Sequence, residues 1–360
     1  MREDYHHLRP SLVLKIDYSI SVLKKAEKLA LKYDPEDGFS LAFSGGKDSQ
    51  CLYHVAQLAG VKFKAHFSPT SVDPPQLICF VRRNYPDVEF KKLDKSIYQV
   101  AIEMGILPTR KVRWCCQRFK ESSGAGKVTL IGIRHEESFR RKKRKEWEVS
   151  GHKFSGNFEE FENWQKKKVD KIKRKHKNLN HDEFSIDKES EIKCINGKDS
   201  ILVSPIIDWT EKDVWDFLNG MEIEHCELYD MGYKRIGCIL CPMSPLKQKK
   251  KEEKMFPHVK RNWIKAIMAI RAGGGDTASA ILPPHYKKKR EDGRCPIDTR
   301  ETKLWGVGFL DNPSAEDGGG EKLSEEQIAE NIYDWWSSGK AYSVWYAEKF
   351  LQKKIDFDEE

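Results

Sequence analysis

Leu41-Ala42-Phe43-Ser44-Gly45-Gly46-Lys47-Asp48-Ser49 runs from apolar to glycine-rich to polar within nine residues. The apolar run Phe39 to Phe43, broken only by Ser40, predicts a buried parallel strand. Behind the glycines, Leu52, Val55, Ala56 and Ala59 recur on one face of a helix. Strand, glycine turn and helix start together form an anion cradle. The glycines let backbone N–H groups approach a phosphate, and the helix N-terminus adds positive potential. Ser44 and Ser49 contribute hydroxyls and Lys47 a point charge. In a Walker A loop, four residues separate the glycines and Gly-Lys-Ser/Thr follows. Here the glycines are adjacent and Asp48 follows the lysine, so the cradle is of another kind.

Working outward, the periodicity predicts a long amphipathic helix over 12–33 and strands near Lys62–Phe67, Val88–Lys92, Val128–Ile133 and Ile201–Ile207. Helices are expected at Gln76–Asn84, Ile97–Met104 and Glu211–Leu218, the last opened by Thr210 with Asp213 as a capping box. This alternation argues for an α/β fold, a parallel sheet with flanking helices. From about 140 to 200 the pattern breaks. Arg140 to Lys145 is entirely basic, and Lys166, Lys167, Lys168, Lys171, Lys173, Arg174, Lys175 and Lys177 follow. This reads as a basic insertion, either a solvated face or a nucleic-acid contact. The expected organisation is an N-terminal helix over 1–37, a nucleotide-binding domain over 38–270 carrying the insertion, and a linker with a helical, aromatic-rich region over 271–360.

A chain of 360 residues can bury one large core or two smaller ones. Charged residues make up 33% and the net charge is +8, which favours a nucleotide or polyanionic partner. No apolar stretch reaches the length of a membrane span, and Met1 to Pro10 is polar. A soluble, cytoplasmic protein is expected. Nine cysteines in a chain this long do not read as a disulfide framework. Cys115 and Cys116 are adjacent, and Cys238 and Cys241 form Cys-x-x-Cys before Pro242. Four thiolates in two pairs can close a zinc site or anchor a [4Fe–4S] cluster. Adjacent cysteines chelate one zinc poorly but can reach different irons, which favours the cluster. Zinc or plain reduced thiols are the alternatives. Cys51 and Cys79 read as core, Cys194 and Cys226 as substitute ligands, and Cys295 as a weak candidate nucleophile near the basic Lys287–Arg290.

Ser44–Ser49 resembles the PP-loop of the ATP-pyrophosphatase superfamily. The resemblance extends over roughly 38–270 through Val72-Asp-Pro-Pro75, Phe80–Val88, Arg113–Lys120, Gly132–Arg141, Pro205–Trp215 and Arg235–Pro242. In that order these motifs resemble the phosphoadenylylsulfate (PAPS) reductase-like proteins of bacteria and phages. The cysteine arrangement is similar to that of iron–sulfur adenylylsulfate reductases. The resemblance implies a Rossmann-like PP-loop fold, an adenine nucleotide (ATP, or a PAPS- or APS-type sulfonucleotide) and a [4Fe–4S] cluster. Its implied phosphate-site residues are Ser44, Gly45, Gly46, Lys47, Asp48 and Ser49 with Asp73, Gly132, Arg134, Ser138, Arg141 and Asp208. Its implied cluster ligands are Cys115, Cys116, Cys238 and Cys241. Asp73 or Asp48 could ligate Mg2+, with Asp48 assigned first to holding the loop. His66 and His135 read as satisfied histidines rather than acid–base groups.

One departure matters for mechanism. Sulfonucleotide reductases carry a nucleophilic cysteine in Glu-Cys-Gly-x-His, and this sequence has no such motif. Sulfonucleotide reduction therefore ranks only narrowly ahead of ATP-dependent sulfur transfer to nucleic acid, of the DNA phosphorothioation or tRNA thiolation type. A non-enzymatic nucleotide- or nucleic-acid-binding component of a larger assembly is the third expectation. The expected partners are an adenine nucleotide, an electron or sulfur donor protein, nucleic acid through the basic insertion, and a second copy of the chain.

Overall fold

The computed structural model describes residues 4–120, 124–150, 153–175, 200–272, 324–340 and 345. Cys194, Cys295, Lys177, Lys287–Arg290 and the aromatics Tyr342, Tyr346 and Phe350 lie outside the described residues. Two compact units divide the chain. One comprises Met1–Pro69, Pro74–Lys92 and Phe119–Gly237; the other comprises Thr70–Asp73, Leu93–Arg118 and Cys238–Glu360.

The first unit is built on a seven-stranded sheet. Its strands are β1 (Phe39–Ala42), β2 (Phe63–Phe67), β3 (Glu89–Phe90), β4 (Val128–Leu130), β5 (Trp147–Val149), β6 (Phe154–Gly156) and β7 (Ile201–Val203). The spatial order is β3-β2-β1-β4-β7-β5-β6. The first five in that order pair in parallel, with Leu41 opposite Ala65 on one side and Leu130 on the other. From β1 the chain steps outward through β2 and β3, then crosses to β4 on the opposite side. The carboxyl ends of β1 and β4 therefore flank a topological switch point, the place where open α/β sheets bind ligands.

The helices of this unit are α1 (Pro10–Tyr33), α2 (Lys47–Ala59), α3 (Pro75–Asn84), α6 (Phe158–Lys175) and α7 (Glu211–Gly220). α1 buries Leu12, Ile16, Val22, Leu23, Ala26 and Ala30 along one stripe, as its period requires. α2 departs from the one-faced helix that its sequence predicts. Gln50, Cys51, Leu52, Tyr53, His54, Val55 and Ala56 are all buried, because α1 and α7 pack against it as well as the sheet. Its polar groups find partners inside. Gln50 Nε2 donates to Tyr85 Oη at 2.8 Å and to the Glu224 carbonyl at 2.7 Å. His54 lies 2.9 Å from Gln57 Oε1 and 3.0 Å from Tyr85 Oη.

The break in the βα pattern after 139 has a structural counterpart. β5 and β6 form an antiparallel pair that extends the parallel sheet beyond β7, with Trp147 opposite both Gly156 and Val203. Trp147 and Phe161 are fully buried there, so α6 closes over this edge with an apolar face as well as carrying lysines. β4 and β7 are shorter than their apolar runs. Beyond Leu130 and Val203 the chain leaves the regular ladder but stays tied by single backbone hydrogen bonds, Ile131 N–H to the Val203 carbonyl at 3.0 Å and His135 N–H to the Ile207 carbonyl at 2.8 Å.

The second unit contains α4 (Ile97–Met104), most of α5 (Trp114–Phe119), α8 (Leu246–Met255), α9 (Pro257–Ala272) and α10 (Glu325–Ser338). Its core is aromatic: Trp263 meets Tyr98 edge-to-face (4.9 Å between centroids) and Trp336 at a tilt (5.1 Å), and Tyr333 lies 5.8 Å from Trp336. The Trp336 indole N–H donates to the Pro108 carbonyl at 2.6 Å. No helix among the described residues is long and apolar enough to cross a membrane.

Candidate functional site

In the first unit the glycine loop that the sequence predicts as a cradle connects β1 to α2. Gly45 stands at φ +72°, and a Cβ there would meet Val81 Cγ2 at 2.6 Å and Leu77 Cδ1 at 2.7 Å on α3. Glycine is required by conformation and by space together. Gly46 caps α2 with no side chain to offer. Ser49 closes the loop: its hydroxyl donates to the Gly46 carbonyl at 2.8 Å and accepts from the Ser44 N–H at 3.2 Å.

The first N–H of α2, that of Lys47, donates to the hydroxyl of Tyr229 at 2.8 Å. Burial pushes the Tyr229 phenol above its ordinary pKa, so the hydroxyl keeps its proton. The Lys47 ammonium is buried too. It donates to the Lys234 carbonyl at 3.1 Å and lies 3.7 Å from Asp48, 3.9 Å from Glu211 and 5.7 Å from the Tyr229 ring centroid.

The end of β4 runs directly against this helix start. A Cβ on Gly132 would lie 2.9 Å from the Asp48 carbonyl oxygen, so only glycine permits the approach. Arg134 follows and is 2% exposed. Its Nε donates to Asp48 Oδ1 at 2.6 Å, and its NH1 donates to the Trp209 carbonyl and Glu136, each at 3.2 Å. Burial works against its charge, but the Asp48 carboxylate outweighs it and the guanidinium pKa is pushed up. Asp48 thus holds an arginine at the helix start.

Arg141 pairs with Glu137, and its pKa is pushed down by burial and further by Arg235. Ser138 Oγ accepts the Arg141 N–H at 3.3 Å and shapes this turn. Asp208 is largely exposed. Its carboxylate lies 2.8 Å from His135 Nδ1, and its carbonyl accepts from Lys15 at 3.1 Å. His135 is held on both nitrogens, the second facing the Arg144 carbonyl at 2.8 Å. Burial depresses the His66 pKa.

Ser44–Ser49, Gly132, Arg134, Ser138, Arg141 and Asp208 all belong to this unit. Asp73 belongs to the other, where its carboxylate accepts the Thr70 N–H at 2.6 Å. Sequence reasoning did not single out Tyr229 or Arg235. Tyr229 lies just ahead of the Cys-x-x-Cys stretch, with no local pattern tying it to a loop some 180 residues earlier.

The four motif cysteines belong to the second unit. Cys115 and Cys116 lie on α5, and Cys238 and Cys241 precede α8; all four are partly buried. The Cys115 thiol is pushed well up by the Cys116 side chain, by burial, and by the charges of Cys116, Cys238 and Cys241. Among the described residues, no group of three or more His, Cys, Asp or Glu is drawn together as a ready metal-ion site. Donors face two of the sulfurs: Arg113 NH2 lies 3.1 Å from Cys116 Sγ, and Thr70 Oγ1 lies 3.4 Å from Cys238 Sγ.

Buried polar groups shape the Cys-x-x-Cys turn. Leu240 has φ +57°, rare for a leucine, and its N–H donates to Glu252 Oε2 at 2.7 Å. The Ile239 N–H donates to the Val72 carbonyl at 2.7 Å. Lys249 is 2% exposed and donates to the Ser337 carbonyl at 2.5 Å. Burial and Arg110 lower its pKa, against the pull of Cys241 and Glu252. The Arg113 guanidinium and the Thr70 hydroxyl thus place donors at one sulfur of each pair, an arrangement that suits sulfurs acting as acceptors.

Residues 38–244 match the phosphoadenosine phosphosulfate reductase domain, and the chain belongs to that family. An uncharacterized protein of Methanocaldococcus jannaschii is 23% identical over 275 residues, 74% of this chain and 56% of the relative. The adenosine 5'-phosphosulfate reductase of Staphylococcus epidermidis is 45% identical over 42 residues, 12% of this chain and 17% of that enzyme. The chain thus spans about half the length, or less, of the curated relatives it matches. Among solved structures, an FMN adenylyltransferase of Candida glabrata aligns with a TM-score of 0.37 and 17% identity, over 64% of this chain and 62% of that one.

Proposed function

We propose that this protein is a PP-loop enzyme of sulfur metabolism that binds an adenine nucleotide in its first unit and a [4Fe–4S] cluster in its second. One observation carries the nucleotide reading. The Lys47 N–H at the start of α2 is satisfied by a tyrosine hydroxyl, and the next residue, Asp48, holds the Arg134 guanidinium. That is an oxygen-acceptor position at a helix N-terminus, with the Lys47 ammonium 5.7 Å from the Tyr229 ring centroid, and a phosphate oxygen can take it over. Gly45 lets the loop pack against α3, and Gly132 lets the chain beyond β4 approach the start of α2. Cys115, Cys116, Cys238 and Cys241 would hold the cluster, which when bound would supply either electron storage or a structural charge centre. The cytoplasm, a reducing compartment, suits these thiols.

The reaction we favour is reduction of a sulfonucleotide to sulfite and the nucleoside phosphate, two electrons coming from a donor thiol or protein. It is supported by family membership and by the local likeness to adenosine 5'-phosphosulfate reductase. A second reading, ATP-dependent sulfur transfer with release of pyrophosphate, draws on Cys51 and Cys226; Cys79, expected in the core, is instead exposed on α3. Cys51 and Cys226 are buried with their thiol pKa values pushed up, and neither is presented as a nucleophilic thiolate.

Anaerobic purification with iron and acid-labile sulfide analysis of wild type and Cys238→Ser tests the cluster. Wild type should carry a cubane that the variant loses; zinc, or no metal, would overturn that part. Sulfite release from adenylyl sulfate with a thiol reductant identifies the reductase, and pyrophosphate release from ATP identifies the transferase. Nucleotide binding without either product points to a non-enzymatic component.

A further inference from the structure

The segment between the cradle and the antiparallel edge of the sheet carries charge that nucleotide binding does not use. Its acidic groups are already engaged. Glu136 pairs with Arg134, Glu137 with Arg141 and Glu148 with Arg144. Glu146 accepts from the Tyr18 hydroxyl at 2.8 Å and the Trp147 indole at 3.0 Å. Arg140, Lys142, Lys143 and Lys145 are exposed, and among the described residues none of them forms an ion pair. Four positive charges are therefore left over within six residues.

At the head of this run stands Phe139, 74% exposed, the highest exposure of any large apolar side chain among the described residues. The Lys143 ammonium lies 5.2 Å from its ring centroid. A solvated basic turn needs no aromatic ring held open to water. An open π-face framed by cations is the arrangement on which an unpaired base stacks while its phosphates are neutralised. A base in a duplex has both faces covered and offers no such partner.

We infer that Phe139 with Arg140, Lys142, Lys143 and Lys145 is a platform for single-stranded nucleic acid. Phe139 stacks on one base and the four cations hold the flanking phosphates. This goes beyond the nucleotide reading, because strand binding here requires neither sulfur chemistry. RNA and DNA present the same base face and phosphates, and comparing them identifies which one the site takes.

The test is fluorescence anisotropy on the full chain with short labelled single-stranded RNA, single-stranded DNA and a duplex. The proteins compared are wild type, Phe139→Ala, Phe139→Trp and a Lys142→Ala/Lys143→Ala/Lys145→Ala triple variant. Wild type should bind at least one single strand more tightly than the duplex. Phe139→Ala should bind that strand about tenfold more weakly, and Phe139→Trp should restore binding. The triple variant should show a flatter dependence on salt. ATP affinity of Phe139→Ala should match wild type, which separates the platform from the cradle. Equal strand binding by wild type and Phe139→Ala, or an equal loss toward the duplex, overturns the proposal.

Discussion

Replacing Tyr229 with phenylalanine removes one oxygen and keeps the ring that packs 5.0 Å from Trp215. The oxygen accepts the N–H of Lys47, a residue 4% exposed, at 2.8 Å. Gly46, the residue capping the helix, has no side chain that could take its place. Leaving such a donor unsatisfied costs about 1–3 kcal/mol, so Tyr229→Phe should lose roughly that much stability when no nucleotide is present. If a phosphate oxygen takes the same N–H, the loss disappears in the complex. By linkage, a loss of about 1.4 kcal/mol in the free protein becomes about a tenfold gain in nucleotide affinity. Urea denaturation with and without saturating ATP, alongside calorimetric titration, measures both halves of this cycle. Equal destabilisation in the two states, or weaker ATP binding by the variant, would refute the view that the tyrosine hydroxyl holds the place of a phosphate oxygen.

Arg134→Lys cannot reproduce two directed contacts from one planar group, to Asp48 and to the Trp209 carbonyl. It should cost about 2 kcal/mol in stability and about tenfold in nucleotide affinity, read by thermal melts and titration. Glu252→Ala removes the acceptor that holds Leu240 in its left-handed conformation. A loss of about 2 kcal/mol is expected, with lower iron content per chain after anaerobic purification. His54 is buried, and burial lowers its pKa from 6.5 to about 4. Below pH 6.5 the unfolded chain takes up a proton that the folded chain refuses, so stability present above pH 6.5 is lost as pH falls toward 4. The full effect is up to about 3 kcal/mol, and melts across that range should be flatter for His54→Gln.

Much of the first unit was legible because its signals are local. The run Phe39–Phe43, the paired glycines and the helix behind them are contiguous, and β1 and α2 form where that pattern places them. The helix predicted over Ile97–Met104 has those bounds, with Ser96 and Gln99 forming a capping box and Gly105 closing the end at positive φ. The Thr210–Asp213 box opens α7 even with aspartate in place of the longer acid, because both side chains reach the opposite backbone N–H. The antiparallel β5–β6 pair was not legible, since strands so short carry too few alternations to rise above a lysine-rich background.

By itself the sequence determined the glycine loop between β1 and α2, the α/β alternation and the two cysteine pairs, because each depends on residues adjacent along the chain. Only the tertiary structure decided which groups meet across long separations. It brought the hydroxyl of Tyr229 to the N–H of Lys47, the carboxylate of Asp48 to Arg134, and Arg235 to Arg141. It brought the charges of Cys238 and Cys241 to bear on Cys115, and it assigned Asp73 to the unit of those thiols. Hydrogen bonds and charge act over a few ångströms of space, and the path by which β1, β4 and β7 return to one sheet sets that proximity rather than any spacing in the chain.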